Sequence, residues 1–169
     1  MISPLSLSNV LTVLVALLCM WTMSPQARGG VMRLWRLAVP AAFAAVVSLM
    51  LLSAVFESNF RHDIEWVVAL VLGGLVGRTR GWTLPIDIDQ QWGLVRLPRS
   101  MDGLLAAAGI VAVAAIDFAG AALEEQPTGP EHLAAFAALC AGFIGCRALA
   151  IIVRSSRAPH VGLNDATRG

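Results

Sequence analysis

Four long stretches of this chain carry almost no charge. Leu5 to Met23 has none over 19 residues, and Leu37 to Phe56 none over 20. Gly103 to Leu123 is interrupted only by Asp117, and Leu133 to Val153 only by Arg147. A helix rises about 1.5 Å per residue, so about 20 apolar residues cross a hydrocarbon core of about 30 Å. A barrel strand needs only about 10. Stretches of this length therefore read as transmembrane helices, which satisfy their backbone polar groups internally.

Composition agrees. Apolar residues make up 57% of the 169 and charged ones 14%. An average soluble domain is about 45–50% apolar even with glycine counted, and about 25% charged. A soluble fold this small has too much surface for its volume to hide the excess. The formal net charge is +1, which gives no bulk argument for nucleic acid as a partner. All 12 basic residues are Arg, and Tyr is absent, so Trp alone can supply an interfacial aromatic belt.

The first stretch has no basic residue before it, and Pro25 breaks the small-x-small pattern of a cleavage site. It reads as a retained span. Pro25, Gly29 and Gly30 mark a loop from Ser24 to Arg36, and Pro40 falls in the first turn of the second span. A third segment is less regular. Trp66 to Gly77 is uncharged over only 12 residues, and extension to Asp63 and Arg78 is needed to give it length.

Arginine placement decides the count, because the cytoplasmic side carries the excess. Five spans with the N-terminus outside put Arg28, 33, 36, 78, 80, 96, 99, 154, 157 and 168 inside and only Arg61 outside. Four spans place eight inside and three outside at best. The expected architecture is all-α and integral to the membrane, a five-transmembrane-helix bundle with spans at 5–23, 37–56, 63–78, 103–123 and 133–153. The N-terminus is expected outside and the C-terminus in the cytoplasm. Residues 1–154 form the single domain, and 155–169 a flexible tail.

Between the third and fourth spans, Trp82, Leu84, Ile86 and Ile88 alternate with polar residues or Pro. Leu94 to Leu97 resume after Gln90-Gln91-Trp92-Gly93. This predicts a cytoplasmic β-hairpin over 82–98. A lone hairpin is marginal in water, so its apolar face should lean on the bundle or the membrane surface.

Few positions could carry chemistry. Asp117 lies inside a span, where a carboxylate is costly and marks a possible proton or cation site. Arg147 is about two turns from the cytoplasmic end of its helix, within reach of lipid phosphate by snorkelling. The two are expected at depths about 10 Å apart, which argues against a direct salt bridge. His62, Asp63, Glu65, Glu131 and His132 gather at the outer face. They read either as solvated interface residues or as a metal, haem or quinol site. No H-x-x-x-H spacing favours the second, and neither metal nor cofactor is predicted. Gly73 and Gly77 form G-x-x-x-G, and Ala138, Gly142 and Cys146 repeat small residues every four, which suits close helix packing. Arg78, Arg80, Arg96 and Arg99 flank the hairpin and could meet anionic headgroups or a partner. Cys19, Cys140 and Cys146 read as small buried side chains. No H-E-x-x-H, G-x-S-x-G, C-x-x-C or Walker pattern is present.

The layout resembles small bacterial multi-pass inner-membrane proteins of a family of unknown function. The shared features are a second span beginning near Pro40, a glycine-bearing third helix with Gly73, Gly77 and Arg78, and a strand-like Val95-Arg96-Leu97-Pro98-Arg99-Ser100. Such families often have Pro-Gly-Ser where this chain has Pro98-Arg99-Ser100. The resemblance implies an inner-membrane location and brings no catalytic residues. The expected function is non-enzymatic: an accessory, scaffold or sensor subunit whose partners are the bilayer, other membrane proteins or a second copy. The alternative is a small oligomeric transporter or channel using Asp117. A membrane redox or metal-binding protein using His62 and His132 comes third.

Overall fold

The computed structural model describes residues 7–55, 60–123 and 129–157. Most of them lie in five helices: α1 (Leu7–Arg28), α2 (Ala38–Val55), α3 (Phe60–Thr83), α4 (Asp102–Leu123) and α5 (Pro130–Ser155). Strands β1 (Gly30–Arg33), β2 (Asp87–Asp89) and β3 (Leu94–Leu97) form one antiparallel sheet, ordered β1-β3-β2. Four helical segments, Leu7–Arg28, Leu34–Ser53, Asp102–Leu123 and Pro130–Ser155, are long and apolar enough to cross a membrane. The length and composition of these helices mark a membrane protein. α3 has the length, but its end turns carry Arg61, Asp63, Glu65, Arg78 and Arg80.

Small residues are prominent inside the bundle, beside Val47, Ile110 and Ile144. Inside are Ala16, Ala44, Ala107, Ala114, Ala134 and Ala137; outside are Leu11, Leu14, Leu18, Val67, Val71 and Leu105. Lipid tails are as apolar as leucine, so burying large side chains gains little, whereas small ones let backbones approach. α5 is the central element and packs on α2, α3 and α4, while α1 packs on α2 and α4.

Helix ends follow local chemistry. Pro25 cannot donate to the Trp21 carbonyl, and the Ser24 hydroxyl donates to it instead at 2.9 Å. α1 thus runs to Arg28, past the expected end at Met23. Gly29 (φ 76°) then reverses the chain as a left-handed cap, its N–H donating to the Gln26 carbonyl at 3.2 Å. A Cβ at Gly29 would lie 2.9 Å from the Arg99 nitrogen, so the two connections touch here.

The sheet departs from the expected hairpin in two ways. Trp82 and Thr83 form the last turn of α3, so the first hairpin strand is only Asp87–Asp89. The Ser24–Arg36 loop supplies a third strand, with Met32 opposite Val95 and Arg33 opposite Leu94. Two short strands cannot bury a face alone. Adding β1 brings Met32, Ile88, Val95 and Leu97 onto Ala148 and Ile151 of α5, together with Leu37 and Leu84. Asp89 Oδ1 accepts the N–H groups of Gln91 and Trp92, at 3.1 and 3.3 Å, and shapes the turn between β2 and β3. Of the tail expected at 155–169, Ser155 closes α5 and Arg157 follows in a turn; 158–169 lie outside the described residues.

Candidate functional site at the sheet-capped end

The sheet gathers both connections on one end of the bundle and rests on the last turns of α5. Carbonyls in the last turn of a helix lack intrahelical partners, and cations suit that end of the dipole. Arg154 meets both needs for α3: its Nη1 donates to the Gly81 and Leu84 carbonyls at 2.8 Å each. Its guanidinium also stands 6.0 Å from the centroid of the Trp82 ring. Arg28, Arg33, Arg36, Arg78, Arg80, Arg96, Arg99 and Arg157 lie at this same end by chain topology. Trp35, Trp82 and Trp92 are exposed there, with Trp21 about two turns back along α1. Trp66 lies toward the other end and donates to Ser48 Oγ of α2 at 3.1 Å. On the sheet, Val95 and Leu97 turn inward, while Arg96 is exposed between Val31 of β1 and Asp87 of β2.

Arg147 is placed differently from expectation. It does not snorkel to lipid: it is 3% exposed, inside the bundle. α5 is covered on several sides, and at this level Gly103 of α4 leaves the space that the guanidinium fills, beside Met23 of α1. A Cβ at Gly103 would lie 3.0 Å from Arg147 Nη1. Arg147 Nε has no hydrogen-bond partner among the described residues. The charges acting on Arg147 are Asp102, attractive, and Arg80, repulsive. Asp102 is already committed, since Arg80 Nε donates to its Oδ2. Arg147 thus feels Asp102 as an attractive charge but forms no ion pair with it. Asp117 lies fourteen residues along α4 from Gly103, a rise of about 21 Å, so it belongs to the other half of the bundle.

Asp117 is half-buried, and falls in the row that Gly103, Ala107, Ile110, Ala114 and Gly120 trace along the inner face of α4. No ion pair to it occurs among the described residues. Of the outer-face candidates, Glu131 Oε1 and His132 Nε2 lie 4.0 Å apart, Asp63 is half-buried and Glu65 exposed. The side chain of His62 lies outside the described residues. Among those described, no three His, Cys, Asp or Glu groups come together as a metal site.

The small residues meet within the chain. α3 and α5 run parallel: a Cβ at Gly73 would strike the Leu139 carbonyl, one at Gly77 the Phe143 carbonyl, and one at Gly142 the Leu70 carbonyl. Gly74 faces Cys146 Sγ, and Ala138 is fully buried. Gly81 extends the row, 2.8 Å from the Arg147 carbonyl to a Cβ built there. The sequence signal for Gly81 was its spacing, four residues after Gly77. Asp102 and Arg154 had no comparable signal, since each looked like an ordinary interfacial charge.

Comparison with protein-family models, with curated proteins and with solved structures found no match.

Proposed function

We propose that this protein is a five-span inner-membrane scaffold or accessory subunit, non-enzymatic, which engages its partner through the sheet-capped end. The observation that carries the reading is the sheet itself. A three-stranded sheet with two open edges is built from both connections at that end, and arginines and tryptophans surround it. Open edges offer unpaired backbone groups to an added strand. Exposed Arg33 and Arg96 add charge that selects an acidic partner. The arginine excess favours the cytoplasm for this end, and the tryptophans suit the headgroup level.

α3 serves as the fifth span in this reading. Its 24 residues reach about 36 Å. Ile64, Val67, Val68, Val71, Leu75 and Val76 form an exposed apolar surface that lipid would cover.

The test uses photo-crosslinking residues at Arg33, Arg96 and, as a control, Glu65. Crosslinks to another protein from the first two positions, lost in the Arg33→Glu/Arg96→Glu variant, support the scaffold reading. Equal crosslinking from Glu65 would argue against it. The inward position of Asp117 favours a second reading, a transporter with Asp117 as the coupling carboxylate. That reading fails when Asp117→Asn leaves pH-dependent flux in proteoliposomes unchanged.

A further inference from the structure

α3 and α4 both lean on α5 and meet each other far less, joined by the Arg80–Asp102 pair. The space between them is a lateral groove of two contiguous stretches, of about 330 and 390 Å³. Its shaft is apolar and runs between Leu72, Val76, Leu105, Phe136, Leu139 and Phe143. Toward the sheet end it passes between Thr79, Arg80, Thr83 and Asp102. From Leu72 to Thr83 the groove follows α3 for about 16 Å along the bundle. An apolar shaft with a charged mouth is the outline of a lipid lying alongside the helices.

At the mouth Arg80 pairs with Asp102, and the N-terminus of α4 adds the positive end of its dipole. Arg80 gives its Nε to Asp102, which leaves four N–H donors of the guanidinium on a side chain 47% exposed. Guanidinium forks match phosphate oxygens, and basic pockets between helices at the cytoplasmic side suit anionic headgroups.

We infer that the α3–α4 groove binds one anionic phospholipid, with an acyl chain along the apolar shaft and the phosphate at Arg80. This rests on α3 lying in the bilayer, which topology reporters test independently of lipid binding.

The experiment reconstitutes the full chain in nanodiscs of phosphatidylcholine and phosphatidylglycerol at 3:1 and counts retained lipids by native mass spectrometry. The expected result is one phosphatidylglycerol per chain, enriched about tenfold over the bilayer ratio. Arg80→Gln brings the ratio to that of the bilayer. Leu105→Trp fills the shaft from a position 70% exposed, leaves every charge in place, and displaces the lipid. Circular dichroism melts confirm that both variants fold. Soluble glycerol phosphate in excess leaves the complex intact, since it lacks the chain. Retention without preference for phosphatidylglycerol, or a preference that survives both substitutions, overturns the proposal. So does a dimer that Leu105→Trp splits without changing retained lipid, which assigns the groove to a second copy. Displacement by glycerol phosphate alone reduces the site to a phosphate site and also overturns it.

Discussion

Gly77 and Gly145 stand on neighbouring helices and differ in what a methyl group would meet. At Gly77 it would strike the Phe143 backbone, which cannot yield as a flexible side chain can; at Gly145 nothing lies within 4 Å. Gly77→Ala is expected to cost about 1–3 kcal/mol, the range for overpacking, and Gly145→Ala to stay within about 0.5 kcal/mol. Reversible unfolding in mixed micelles measures both; equal losses would remove the α3–α5 backbone contact from the account. Arg147 gives a second residue-scale prediction. A buried arginine without an ion pair among the described residues is replaceable by an apolar side chain of similar volume at little cost. Arg147→Met should therefore be near neutral or stabilising. Asp102→Asn removes the partner of Arg80 and the attractive charge acting on Arg147, and should destabilise by about 1–3 kcal/mol, below the full buried-pair value because Arg80 is half-exposed. The same melts decide the order of the two variants. Arg147 was visible in the sequence as a charge inside a span, but its surroundings were not. Reach alone allowed snorkelling, and only the covering of α5 by other helices and the gap at Gly103 closed that route.

Among the elements, a clamp at the end of α3 adds to the apolar core beneath the sheet. Arg154 ties the end of α3 to α5 by two charged hydrogen bonds, each worth about 1.5–3 kcal/mol when fully shielded. Arg154 is partly exposed, so Arg154→Met should lose about 2 kcal/mol in total and keep the apolar stem. Hydrogen exchange should quicken first at Leu94–Leu97, whose inner face rests on α5 beside the clamp. Unchanged exchange there would show that β1 and the core beneath hold the sheet without Arg154. The hairpin was legible from alternation in the sequence, whereas β1 was not. Gly30–Arg33 is four residues between glycines and a 3₁₀ turn, too short to alternate convincingly, and only its pairing with β3 makes it a strand. Exchanging the whole hairpin for a linker would strip Ile88, Val95 and Leu97 from the core, which is why surface charges are the better probe.

For the whole molecule, parity is the central question. β1 follows α1 and precedes α2, β2 and β3 join α3 to α4, and α5 ends beneath them. α1, α3 and α5 therefore finish at one end, and α3 runs parallel to α5. If this bundle sits in a bilayer as five spans, reporters fused to the two termini will localise to opposite sides. Termini on the same side would reduce α3 to a non-spanning helix and reverse the orientation argument for one half of the chain.

Linear pattern alone pointed to the solvent and the class: uncharged runs of about 20 residues suit helices in lipid, which satisfy their own backbone, and exceed what a barrel strand needs. It also determined the small-residue faces and the arginine asymmetry, since both are linear patterns. The tertiary structure decided everything that depends on neighbours distant in the chain. It set α3 against α5 through glycine-to-backbone contacts, and it recruited a third strand from a loop 50 or more residues from its partner. It turned Arg147 inward, into the space beside Gly103 and Met23. Charge and contact energies act across space, so the surroundings of a buried arginine are fixed by packing and not by position along the chain.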